Sequence, residues 1–175
     1  MQAAERTQRP TRTFSDTATC RLSPEVLFDL LADITERQKW DSCPPYVKQE
    51  PIMASPGAAL SGSRYVASGT VRGVPYEAEA VVVAADRPTR YAVRSFTRFA
   101  RALPNATSVE EFRISPDPAG SLVRYSVEIT KDRGTGDWLN RTLNDLIEPF
   151  FAANALRKSF RDILRNAEKH VGVSS

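Results

Sequence analysis

The usual nucleophiles and metal-binding side chains are almost missing from this sequence, which holds one histidine, His170, and two cysteines, Cys20 and Cys43. His170 stands five residues from the C-terminus, where chains tend to fray. An imidazole at a fraying end is not held firmly enough for a His-based triad, and a lone one cannot build a metal site from histidines. It also deprives a cysteine nucleophile of its customary base, because a thiolate needs a neighbour that takes or offsets its proton. The two cysteines lack metal-ligand spacing, so neither a metal nor a cofactor is expected. What remains for recognition or acid–base chemistry is a carboxylate and a set of hydroxyls: Glu110 with Tyr65, Tyr76, Tyr91, Tyr125, Ser95, Thr97 and Ser108. They are far apart in the chain. Only neighbouring strands that face the same way would gather them.

Composition allows such a fold. With 175 residues and 41% hydrophobic content, one domain should bury roughly 70% of its unfolded surface, enough for a core without disulfide staples. The net charge of +3 arises from 24 basic and 21 acidic residues, a balance that points to no nucleic-acid partner. Residues 1–12 are polar and aperiodic and read as a disordered tail, leaving a single domain over 13–171. The opening residues lack the apolar run of a secretion signal, and no stretch approaches the ~18 apolar residues of a membrane span. A cytoplasmic protein with free thiols, monomeric or homodimeric, is the expectation.

Period-two patterning predicts strands at Thr13 to Leu22, weakly at Tyr46 to Met53, and then at Arg64 to Val71, Val74 to Ala84, Tyr91 to Phe99, Ser108 to Ser115 and Leu122 to Lys131. After the first strand, Ser23 can cap a helix with Pro24 at its first position, and Leu22 and Leu27 are spaced as a hydrophobic staple. Ile34 to Trp40 reads as a second short helix. The last third, Gly136 to His170, reads as one amphipathic helix, bent at Pro149 because proline lacks the amide donor.

Parity then assigns faces. Val123, Tyr125, Val127 and Ile129 point one way, as do Phe112 and Ile114, which brings Glu110 and Ser108 to the same side. Tyr76, Ala78, Ala80 and Val82 join them. For Tyr91 to Phe99 the charges decide, since opposite charges on adjacent strands attract. Placing Arg94 and Arg98 outside sets them between Glu77 and Glu79 on one neighbour and Glu111 on the other. Tyr91, Ser95 and Thr97 then turn inward. A filled core avoids so many hydroxyls and a carboxylate, since each buried polar group needs a partner, whereas a ligand pocket uses this mixture.

The sheet and the long helix each need an apolar partner, and each supplies the other's. The order of elements, with Ser23-Pro24-Glu25-Val26 to Trp40-Asp41, the segment Ser68 to Tyr76 and the long final helix, resembles the START-like superfamily, in its polyketide cyclase/dehydrase and lipid-transport branch. The resemblance spans Phe14 to Val171. It implies an α+β helix-grip fold: a seven-stranded antiparallel sheet wrapped around a long C-terminal helix, with two short helices after the first strand. It also implies a cavity for a hydrophobic small molecule. The family shares no universal catalytic residue, so the fold leaves carrier, sensor and enzyme open.

The first reading is therefore binding of a hydrophobic or polyaromatic small molecule or lipid. Glu110 would anchor a donor on the ligand, with Tyr65, Tyr76, Tyr91, Ser95, Phe112 and Tyr125 on the walls, Trp40 at the mouth, and Phe150, Phe151 and Asn154 on the lid side. The alternative is an aromatase/cyclase-type enzyme acting on a poly-β-keto chain, with Glu110 as candidate acid–base and tyrosines as proton donors. A third reading uses Arg157, Arg161 and Arg165, at i, i+4 and i+8, for weak contact with an anionic membrane or a partner.

Overall fold

The alternating segments become seven strands: β1 (Thr11–Cys20), β2 (Val47–Gln49), β3 (Arg64–Val71), β4 (Val74–Asp86), β5 (Arg90–Phe99), β6 (Ala106–Asp117) and β7 (Gly120–Lys131). Helices α1 (Pro24–Ala32) and α2 (Ile34–Trp40) follow β1, and α3 (Ala153–Val171) ends the fold. The computed structural model describes residues 11–41, 47–54, 57–71, 73–100, 105–131 and 153–173. The strands form one antiparallel sheet in the order β1-β7-β6-β5-β4-β3-β2, a meander in which β1 crosses over to close on β7. This is the helix-grip arrangement of sheet and C-terminal helix. The half of the expected long helix before residue 153, with its Pro149 bend, lies outside the described residues.

Local chemistry sets the joints. Ser23 Oγ accepts from the Val26 amide at the start of α1, and Leu22 and Leu27, 4% and 0% exposed, close the staple beneath it. Asp33 ends α1 and caps α2, its Oδ1 accepting from the Glu36 amide at 3.0 Å. The chain reverses between β3 and β4 at Gly73, whose φ of +78° suits glycine. Gly69 answers a different need. A Cβ there would stand 2.1 Å from the Lys48 carbonyl oxygen, so only glycine lets β2 lie against β3.

Several boundaries differ from the sequence expectation. Strand β1 starts at Thr11 rather than Thr13, because Thr11 and Arg12 still pair with Thr130 and Ile129 of β7. The weak second strand shrinks to three residues and an isolated bridge between Met53 and Val66. A bulge at Val83 shifts β4 against β5, so that Val82 pairs with Val93 but Ala84 with Ala92.

The predicted inner faces hold. Val123, Tyr125, Val127 and Ile129 are all buried, together with Phe112 and Ile114. On the outer face Arg98 bridges Glu77 and Glu79, at 3.4 and 2.6 Å. Glu111, however, is bound by Arg90 and Arg113 rather than by Arg94 and Arg98, since it stands opposite Ala92 and diagonal to Arg90. Apolar Val66 and Phe96 interrupt the charges, and the Arg98 guanidinium lies over the Phe96 ring.

One end of the inner face is solid. Phe160 of α3 stacks on Tyr125 with ring centroids 4.9 Å apart, Phe112 and Phe14 flank the same ring, and Phe28 meets Tyr91 edge-on. Leu27, Leu31, Ile163, Leu164 and Ala167 fill the gaps between α1, α3 and the sheet.

Candidate functional site

Side-chain size along the registered rows of the inner face changes abruptly beyond this aromatic block. Tyr91, Phe112, Tyr125 and Asp16 form one row across β5, β6, β7 and β1. The row that starts at Tyr65 continues through Ala80, Ser95 and Ser108, and the next contains Ala67, Ala78, Thr97 and Ala106. Small side chains on three consecutive strands leave a hollow of about 560 Å³ beneath α2 and α3. Helix α2 faces it with Ile34, Arg37, Gln38 and Asp41, and α3 with Ser159 and Ile163. The β2 segment supplies the remaining wall, held to α2 by the Ile52 amide, which donates to Gln38 Oε1 at 2.8 Å.

A polar cluster sits where the hollow meets the aromatic block. Tyr125 Oη donates to Glu110 Oε1 at 2.8 Å. Arg37 pairs through Nε with Asp41 Oδ2 at 2.9 Å, stands 4.0 Å from Glu110 Oε2 through Nη1, and lies over the Phe112 ring. Its side chain is only 18% exposed. Burial alone would weaken its charge, but the Asp41 and Glu110 carboxylates outweigh that and raise its pKa, so the guanidinium stays charged.

The phenols are held neutral. Burial pushes Tyr65 up to about 12, with Glu110 adding to the rise and Arg37 opposing it. Tyr91 and Tyr125 are raised as well, again chiefly by burial. None can serve as a phenolate base near neutral pH; each can donate or accept a hydrogen bond. Tyr91 lines the cavity, and its buried Oη has no hydrogen-bond partner among the described residues.

The expected site residues thus divide. Tyr65, Tyr76, Tyr91, Ser95 and Glu110 line the hollow, as do Thr97 and Ser108. Phe112 and Tyr125 share that face but lie one layer deeper, under α3, where Tyr125 orients Glu110. Trp40 is buried between α2 and α3, tilted against the His170 ring, rather than standing at the mouth. Asn154 faces away, onto an exposed groove with Arg157, Lys158 and Arg161. Phe150 and Phe151 lie outside the described residues. In that groove the basic stripe is partly neutralised: Arg157 and Arg161 each approach Asp16 at 3.6 Å, while Lys158 and Arg165 pair with Asp162.

Sequence reasoning missed Arg37 and Asp41. The available signal was helical spacing: Ile34, Arg37 and Asp41 stand at i, i+3 and i+7, one face of α2 carried by a buried isoleucine. Among the described residues, no helix is long and apolar enough to cross a membrane, and no group of His, Cys, Asp and Glu side chains is placed to hold a metal.

Solved structures repeat this architecture. A protein from Rhizobium leguminosarum superposes with a TM-score of 0.66 at 8% identity, over 93% of this chain and 97% of its own. A protein of unknown function from Staphylococcus aureus gives 0.63 at 10% identity, over 94% and 98%. Ara h 8.0201 gives 0.58 at 16% identity, over 91% of this chain and 99% of its own. At such identities the likeness concerns the fold alone. No curated protein matches the sequence. The family model described as polyketide cyclase / dehydrase and lipid transport matches residues 11–172, and the chain belongs to that family.

Proposed function

We propose that the protein binds a hydrophobic or polyaromatic small molecule or lipid inside the grip, as a carrier or sensor. The observation that supports this best is the hollow itself, about 560 Å³, where alanines and hydroxyl side chains replace the bulky residues that fill the rest of the inner face. That volume lies within the ~300–1,000 Å³ of small-molecule sites, and the mixture of apolar wall and few polar groups is what such sites use. The half-buried group of Arg37, Asp41 and Glu110 fits a recognition site better than a packed interior, since charges withdrawn from water are costly unless they serve recognition or pair completely. Native mass spectrometry of the purified protein is the direct test, followed by titration with polycyclic aromatics and long-chain lipids. Retained or added ligand at one per chain is expected; no bound molecule and no affinity across the panel would overturn the reading.

The aromatase/cyclase alternative draws on one observation: Tyr125 holds Oε1 of Glu110, a residue that lines the hollow, and Oε2 stands 4.0 Å from Arg37 Nη1. There the carboxylate would take a proton from carbon between two carbonyls of a poly-β-keto chain, while a cavity tyrosine hydrogen-bonds the developing enolate oxygen. In an assay with such a chain, Glu110→Gln is expected to abolish turnover and spare binding. Turnover that survives the substitution would remove Glu110 from that role.

A further inference from the structure

We infer that the polar end of the cavity selects ligands whose head group donates hydrogen bonds, a hydroxyl, phenol or protonated amine, and rejects carboxylates. The inference rests on the ligand-binding reading above and adds the chemistry of the head group. Arg37 is the one cation on the described wall, and it is already engaged: Nε is bonded to Asp41, Nη1 faces Glu110, and the guanidinium plane covers Phe112. Asp41, Glu50 and Glu110 face the same space, three acidic groups against one basic.

An entering carboxylate would therefore add a like charge to a partly desolvated acidic site. Its one cationic partner, Arg37, is already hydrogen-bonded to Asp41 and offset by the nearby Glu110 carboxylate, so an entering carboxylate would compete with both for the guanidinium. A donor meets the opposite situation. Glu110 Oε1 accepts from Tyr125, while Oε2 has Arg37 Nη1 no nearer than 4.0 Å, beyond hydrogen-bond length. Tyr91, 1% exposed and on the same wall, has an Oη with no hydrogen-bond partner among the described residues. A buried hydroxyl without a partner costs free energy that a ligand can recover by bonding it. A head group that donates to Glu110 Oε2 and exchanges a hydrogen bond with Tyr91 Oη satisfies both. The small residues Ala67, Ala78 and Ala80 leave room for its apolar body.

The test keeps the body constant and changes the head: naphthalene, 2-naphthol, 2-naphthylmethylamine and 2-naphthoate, titrated at neutral pH by calorimetry. The phenol and the ammonium are expected to bind at least about tenfold tighter than the carboxylate, roughly one well-formed hydrogen bond in a partly buried site. Glu110→Gln should collapse the ammonium preference, and Tyr91→Phe should lower affinity for the phenol while leaving naphthalene unchanged. Equal or tighter binding of 2-naphthoate would overturn the inference alone. If naphthalene and all three derivatives fail to bind, the ligand-binding reading falls, and this inference with it.

Discussion

The two ends of the inner face share strands, register and twist, yet one is solid and the other hollow. At the solid end Tyr91, Phe112 and Tyr125 stand side by side on β5, β6 and β7 and are covered by Phe28 and Phe160. Two rows along, the positions on β4, β5 and β6 are Ala80, Ser95 and Ser108, and these small side chains line the hollow. The cavity is therefore a property of side-chain volume in registered rows, and the topology alone does not require it. The polar cluster lies on the seam because a charged group there can rest on the aromatic block while facing the hollow, as Arg37 does on Phe112.

Substitutions should separate the two ends. The largest effect belongs to Phe160→Ala: Phe160 is fully buried against Tyr125, and its removal should cost about 3–5 kcal/mol, read from urea unfolding. A loss below ~1 kcal/mol would mean that the block is not close-packed. A matched pair sharpens the contrast. Ala167 and Ala80 are both buried, 0% and 5% exposed, but the first sits in the block and the second on the cavity wall. Ala167→Leu should cost about 1–3 kcal/mol from overpacking. Ala80→Leu should change stability by less than about 1 kcal/mol, because its added volume enters the hollow, and should weaken ligand binding at least about tenfold. Equal destabilisation by both would erase the distinction.

The smallest effect lies outside both ends. Burial raises the Glu111 carboxyl pKa, but Arg90 and Arg113 outweigh that and hold it below its usual 4.5. A carboxylate depressed on folding stabilises the protein above the unfolded value and loses that contribution as pH falls through the folded one. Glu111→Gln should therefore flatten the decline of melting temperature below about pH 4.5. At neutral pH it should cost no more than about 1 kcal/mol, because both arginines are substantially exposed. An unchanged acid limb would show that the pairs do not stabilise the outer face, and it would leave the comparison of the two ends intact.

Much of this is legible in the sequence. Strand β7 alternates cleanly, so its face was fixed by parity, and the Ser23-Pro24 start of α1 carries its own capping chemistry. Charge pairing correctly turned Arg98 outward and Ser95 inward. Parity gives a face but not a depth, which is why Phe112 and Tyr125 were expected on the cavity wall and lie beneath it under Phe160. Apolar residues run unbroken through Val81 to Ala85, and such a run conceals a bulge. Arg37 was hidden for another reason. A charged residue on a short helix reads as solvated, and only the approach of Glu110 from β6 makes it an inward group. Asn154 could have been placed correctly, since it precedes Arg157 and Arg161 by the spacing of one helical face.

The most direct test of a hollow end beside a solid one is a backbone amide NMR titration with 2-naphthol. Saturable shifts are expected at Ala78, Ala80, Ser95, Thr97 and Ser108, with Val123 and Leu27 unmoved. Shifts confined to Val66 and Phe96 on the outer face, or no saturable shift at all, would contradict it.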